Sequence, residues 1–297
     1  MSNTLPLISL PEIQFTIFTP TYNRSNTLHR VYESIKKQSL QKINNTYIFE
    51  WIIVDDGSTD STRELVELWK KTSEFEIIYI FQENSGKVSA MQKGIEAAKG
   101  ELFLIIDSDD AFLPETFETF YIVWKDFTID QKKQCGGIGV LCQDQFGHRI
   151  GNNYPVEKHF LPTIQSYFGW RSKSLGETWS ILNTITLKKY FTIPNEAANL
   201  KFIPESFFWS KMAIEAHDYS YYLNKVLRIY YINEGGNISE NIRKKHPDGF
   251  LFESRWFVKN YWWILFKYPK VFLKHLLKYA YFFTLIFYKN FPKKTEI

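Results

Sequence analysis

Three apolar runs in the first 110 residues each break off into a polar or acidic turn, and this repeat constrains the fold more than any other feature. The run 15–18 leads into Thr19-Pro20-Thr21-Tyr22-Asn23-Arg24. The run 50–54 leads into Asp55-Asp56-Gly57-Ser58-Thr59-Asp60, and the run 102–106 into Asp107-Ser108-Asp109-Asp110. Short apolar runs bounded by turn residues read as buried strands, and segments of helical periodicity lie between them. The spacing predicts strands near 14–19, 47–54, 75–82, 101–106 and 136–142, and helices near 26–38, 60–72, 86–99 and 114–126. Such alternation implies an α/β fold with a mostly parallel sheet flanked by helices. Open sheets of this kind bind ligands beyond the carboxyl ends of their strands, which is where the three polar turns belong.

The chemistry of the third turn follows from repulsion. Asp107, Asp109 and Asp110 stand within four residues, and like charges so close raise one another's pKa unless a cation neutralises them. Oxygen ligands suit a hard divalent ion, Mg²⁺ or Mn²⁺, which commonly arrives with phosphate. The segment Asn84-Ser85-Gly86-Lys87 opens the helix at 86–99 with a small turn and a cation, a fair place for a diphosphate.

These four segments, in this order and spacing, resemble the nucleotide-sugar-dependent glycosyltransferases of family 2, which have the Rossmann-like GT-A fold. The matching residues are 19–24, 54–60, 84–87 and 107–110. The resemblance is strong over about 13–125, the nucleotide-sugar half, and weaker over about 126–240, the acceptor half. It implies an inverting, hexosyltransferase-type enzyme that uses a nucleotide-diphosphate sugar, with UDP as the expected nucleotide. Pro20 and Tyr22 would border the base, Asp56 (or Asp55) would bind the nucleoside, and Asp107 the ribose. Lys87 would offset phosphate charge, and Asp109 would hold a divalent cation, Mn²⁺ or Mg²⁺. The acceptor hydroxyl would belong to a glycan or lipid-linked molecule in surface polysaccharide assembly, with no nucleic acid involved.

In the family a carboxylate base lies in the second half, usually in an acidic pair at the start of a helix. Glu205-Ser206 precedes the helical run 207–213, so Glu205 takes that place, without the second acid. Glu177 and Asp218 are rival bases. The six histidines do not cluster at ligand spacing. His246, in a Lys-rich loop, reads as a surface residue.

Charge is distributed unevenly. The net +4 divides into +7 for residues 251–297, which carry nine Lys/Arg against two acids, and −3 for the rest. We therefore expect a body over 1–250 and a basic, aromatic, amphipathic helical tail over 251–297. Its longest charge-free stretch is ten residues, between Lys278 and Lys289, about half of what a bilayer requires. Lys267, Lys270, Lys274 and Lys278 recur at helical spacing, as in a helix that lies in an anionic membrane interface. The rival reading is a helix pair docked on the body. The first eleven residues lack the apolar core of a signal peptide. Cys135 and Cys142, with no metal-site neighbours, read as buried thiols of a reducing compartment. The expected location is therefore cytoplasmic, peripheral on the inner face of the plasma membrane.

Three other functions compete. A nucleotidylyltransferase would show a Gly-rich, Arg-containing loop after the first strand. A processive synthase would show Gln-x-x-Arg-Trp and several membrane spans, whereas Phe252 stands three residues before Arg255-Trp256. A non-catalytic nucleotide-sugar-binding or membrane scaffold protein is the remaining alternative.

Overall fold

In the computed structural model, which describes residues 13–156, 158–169, 176–232 and 238–290, the apolar runs become the centre of one sheet. The strands are β1 (Phe15–Thr21), β2 (Phe49–Asp55), β3 (Ile77–Phe81), β4 (Leu102–Ile105), β5 (Ala111–Phe112), β6 (Cys135–Gln143), β7 (Arg149–Ile150), β8 (Phe160–Pro162), β9 (Thr178–Asn183) and β10 (Tyr219–Ile229). Their order is β8-β10-β6-β9-β4-β1-β2-β3, with β5 paired to β10 and β7 to β6. The half β4-β1-β2-β3 is wholly parallel. β9 enters antiparallel between β4 and β6, and β10 runs parallel to β6. The sheet is therefore the expected mostly parallel one, with its irregular strands in the second half. A separate hairpin pairs Lys42–Ile43 with Thr46–Tyr47.

β1 and β2 are buried along their whole length, because helices cover both faces of the sheet. Alternate residues of β2 go to opposite cores. Trp51 and Ile53 join the core under α1 (His29–Lys36), α2 (Thr62–Thr72) and α4 (Thr116–Asp126). Ile52 and Val54 join the core under α3 (Lys87–Ala97), α7 (Thr184–Tyr190) and α8 (Glu205–Glu215). Between α4 and α8 in the chain lie α5 (Ile129–Gln134) and α6 (Thr163–Gly169). α3 sits close to the sheet because residue 94 is glycine. A β-carbon there would meet the Phe18 ring at 2.3 Å.

The second half ends in α9 (Ile238–Lys245), α10 (Pro247–Asn260), α11 (Ile264–Lys267) and α12 (Pro269–Asn290). The expected boundary at residue 250 falls inside α10, which is one continuous helix. Its Phe252 and Trp256 pack on Phe207 of α8, at ring-centroid distances of 5.2 and 5.8 Å. α12 docks on α10 in turn: Phe282 stacks on Phe250 at 5.3 Å and His275 on Phe257 at 3.8 Å. The tail is thus a docked element on one side. Lys278, expected on a basic face at an anionic membrane interface, forms an ion pair with Glu253, which is 2% exposed. No helix among the described residues is long and apolar enough to cross a membrane. The segment 1–12, where a signal peptide would lie, is outside the described residues.

Candidate active site

The ends of β1 and β2 are flush, Thr21 standing opposite Asp55, so the first two polar turns meet. Side chains from both then fasten the loops together. Asn23, in a left-handed conformation at φ 52°, accepts from the backbone N–H of Thr59 at 2.7 Å. The N–H of Asn23 itself donates to Ser58 Oγ at 2.8 Å. Asp60 accepts from Ser25 N–H and Oγ at 3.0 and 2.7 Å, and from Thr62 N–H at 3.1 Å. Partial burial would raise the Asp60 pKa, but these donors outweigh it and hold the carboxyl at about 2.

The two acids after β2 shape the turn. Asp55 is fully buried, and its oxygens accept from Ser58 N–H at 2.8 Å and Tyr79 Oη at 2.6 Å. Asp56, 6% exposed, accepts from Gln82 Nε2 at 2.6 Å and from the N–H groups of Ser85 and Gly86 at 2.7 and 2.8 Å. Asp56 thereby fixes the turn that launches α3. Pro20 is buried at the end of β1, while Tyr22 beside it is 48% exposed.

The third turn shows how its repulsion is relieved. Arg228, near the end of β10, lies beside β5 because Arg228 pairs with Phe112. Its guanidinium is bonded to Asp110 through both Nε, at 2.9 Å, and Nη2, and reaches Asp107 at 3.1 Å. Burial pushes Asp110 up to about 6, against the pull of Arg228. Asp107 also meets Lys87 Nζ at 2.8 Å, and the same ammonium lies 3.1 Å from Glu205 at the start of α8. Burial alone would raise Asp107, but Lys87 and Arg228 hold it at about 2. Asp107 and Asp110 thus have close protein cations, where the sequence suggested a metal. Asp109 is held apart, 40% exposed and 3.7 Å from Arg24. No three His, Cys, Asp or Glu side chains converge among the described residues.

A cavity of about 330 Å³ opens at this edge, and Lys87, Asp107, Glu205, Trp209 and Arg228 line it. The rival carboxylates line it too. Glu177 stands 3.6 Å from Arg228, and Asp218 has one buried oxygen without a hydrogen-bond partner in the structure. Burial, only partly countered by Thr163, pushes Asp218 up to about 6. The structure therefore gathers Lys87, Asp107 and Glu205 in one cavity. Pro20, Tyr22, Asp55, Asp56 and Asp109 belong to the strand ends alongside. His246 stacks on Phe202 at 5.3 Å. Both cysteines are buried and unpaired, and burial raises each to about 12.

Residues 16–130 match the model of the family described as "Glycosyl transferase family 2". The chain carries a family 2 glycosyltransferase domain. Over 148 residues the chain is 33% identical to the putative teichuronic acid biosynthesis glycosyltransferase TuaG of Bacillus subtilis, covering 48% of the chain and 51% of the relative. A longer, more distant match, 26% over 212 residues, is to the minor teichoic acid biosynthesis protein GgaA of Bacillus subtilis; it covers 69% of the chain and 44% of the relative. The chain thus spans about half, or less, of the length of these relatives. Among solved structures, the chain superposes on S. aureus TarS in complex with UDP-GlcNAc with TM-score 0.62 and 20% identity, covering 83% of this chain and 67% of that one. The mannosyltransferase PcManGT from Pyrobaculum calidifontis, in complex with GDP-Man and Mn²⁺, gives TM-score 0.57 at 18% identity, covering 91% and 69%. At such identities the likeness is one of fold, and the fold is GT-A.

Sequence reasoning missed Arg228 and Asp60. The signal for Arg228 was a lone cation inside the apolar run 226–230, since a buried Arg requires a carboxylate. Asp60 stands at the start of the helix predicted at 60–72, but its link to Ser25 spans two loops that no local pattern joins.

Proposed function

We propose that the chain transfers a sugar, with inversion, from a nucleoside diphosphate sugar to an acceptor hydroxyl in the assembly of a cell-surface polymer. UDP is the nucleotide we assign, in line with the neighbour that holds UDP-GlcNAc. The observation that carries this reading is the ammonium of Lys87, which spans Asp107 on the donor side and Glu205 on the acceptor side. The nucleoside lies over the ends of β1 and β2, where Tyr22 stacks on the base. Asp56, which keeps some exposure, contacts the nucleoside, while Asp55 holds the turn. The diphosphate draws Lys87 toward itself.

Glu205 then accepts the proton of the acceptor hydroxyl as its oxygen attacks the anomeric carbon from the face opposite the diphosphate. The bond from that carbon to the diphosphate oxygen breaks, and its electron pair leaves with UDP. The exposed carboxylate of Asp109, together with phosphate oxygens, is a donor set that fits Mg²⁺ or Mn²⁺. Such an ion, when bound, offsets the charge that grows on the leaving diphosphate.

Calorimetry of UDP-sugars with and without Mn²⁺ tests donor and metal together. Asp109→Asn is expected to lose Mn²⁺-dependent UDP binding; normal binding and turnover would remove Asp109 from that role. Glu205→Gln is expected to bind donor near-normally while transfer falls about 10²-fold or more. Transfer at the wild-type rate would move the base to Asp218 or Glu177.

A further inference from the structure

A second cavity, of about 660 Å³, lies on the other side of the first turn of α8 and has no part in the scheme above. Its lining includes Lys267, Lys270, Lys274 and Lys278, with Glu253 and His275. On α12, Lys270, Lys274 and Lys278 are spaced four residues apart, so they run down one edge of the helix. Glu253 is committed to Lys278 and to Ser206 Oγ, which donates to it at 2.6 Å. Among the described residues no carboxylate lies within ion-pair distance of Lys267, Lys270 or Lys274. Burial, with Lys278 and Lys274 nearby, pushes His275 down to about 3, so its ring is neutral. Its buried Nδ1 has no hydrogen-bond partner in the structure. Four lysines against a single carboxylate leave the lining with a net positive charge, beside a wall of Phe168, Tyr268, Pro269 and Val271.

The position of this cavity gives it meaning. Glu205 lines the first cavity and Ser206, its neighbour in the chain, lines the second; Tyr167 of α6 lines both. A group seated among the lysines is thus separated from the base by one turn of helix. We propose that the second cavity binds a phosphate carried by the acceptor, so that the acceptor is anchored by its phosphate while its hydroxyl reaches Glu205. The word acceptor rests on the glycosyltransferase reading; the phosphate site rests on the lysines alone. Several ammonium groups lining one cavity suit a phosphate as point charges.

The test uses the full chain with UDP saturating the donor side, and compares the wild type with K270E/K274E and K270Q/K274Q. Both lysines are exposed, and UDP affinity measured on the same preparations reports that each variant is folded. One arm titrates glycerol phosphate. The other measures recruitment to phosphatidylcholine vesicles with and without phosphatidic acid. We expect the affinity for phosphate to fall about tenfold or more in the double variants, and to weaken with salt in the wild type. Lysine-dependent binding of glycerol phosphate alone identifies the source as a soluble polymer phosphate. Lysine-dependent recruitment by phosphatidic acid identifies a lipid headgroup. Equal behaviour of wild type and double variants in both arms overturns the site, even with UDP bound normally. Failure of the wild type to bind UDP would instead remove the glycosyltransferase reading, and the lysine comparison would still decide the phosphate site.

Discussion

Arg228 does at the residue scale what the acidic turn demanded of a metal. It is 5% exposed and neutralises Asp110, itself 2% exposed, so each ion depends on the other. Arg228→Met is expected to cost about 3–5 kcal/mol, because it leaves a buried carboxylate without its cation; the urea midpoint should fall with an unchanged slope. Asp218 makes a different prediction, through pH. Its carboxyl has a folded value of about 6 against an ordinary 3.8, so between those values the folded chain keeps a proton that the unfolded chain has lost. Stability attributable to Asp218 is therefore full below about pH 4 and declines as pH rises toward 6. Asp218→Asn should flatten that slope by roughly 1–3 kcal/mol, measured by denaturant unfolding at pH 4.5 and 7. An unaltered slope would show that Asp218 titrates normally. The acids at the strand ends were legible because repulsion within a short segment is a local property. Their partners, Arg228 and Lys87, were not both legible. Lys87 belongs to a recognisable turn, whereas Arg228 arrives from more than a hundred residues away through sheet pairing.

Among the elements, the parallel half of the sheet was readable because β1, β2 and β4 are buried on both faces and so appear as largely apolar runs, interrupted by Thr16 and Glu50. The second half was harder. β9 alternates buried and partly exposed residues, β10 mixes them with no period of two, and β5 and β7 are two residues long, too short for any period to show. The close seating of α3 on β1 yields a test. Gly94→Ala places a methyl group against the Phe18 ring and is expected to cost about 1–3 kcal/mol by overpacking, read as a lowered thermal midpoint. The boundary expected at residue 250 falls inside α10, where charge and composition change but burial does not. A chain ending at 250 loses Glu253, Ser254 and Phe257, all at most 2% exposed. It is expected to lose cooperative unfolding in a thermal melt, and a sharp two-state transition in that fragment would show α10 to be dispensable.

For the whole molecule, the basic tail divides its duties. One edge of α12 turns its lysines to a cavity, and one side docks on α10. The outward side shows Leu277 at 71% and Tyr288 at 71% exposure, continued on α11 by Phe266 at 78%. Exposed apolar side chains of this kind suit a membrane surface, and we propose that role for them. F266D/L277D is expected to abolish the salt-resistant part of co-sedimentation with anionic liposomes, leaving UDP affinity intact; undiminished sedimentation in high salt would assign that part elsewhere. The bridge that Lys87 forms between Asp107 and Glu205 has a consequence for the order of events. While the ammonium stays on Glu205 it occupies the carboxylate that the acceptor hydroxyl is proposed to meet, and an arriving diphosphate offers Lys87 another partner. Turnover should therefore be compulsory-ordered with the donor leading, and an acceptor analogue should inhibit uncompetitively against the nucleotide sugar. In Lys87→Ala that inhibition should turn noncompetitive, as the interlock between the two substrates is lost.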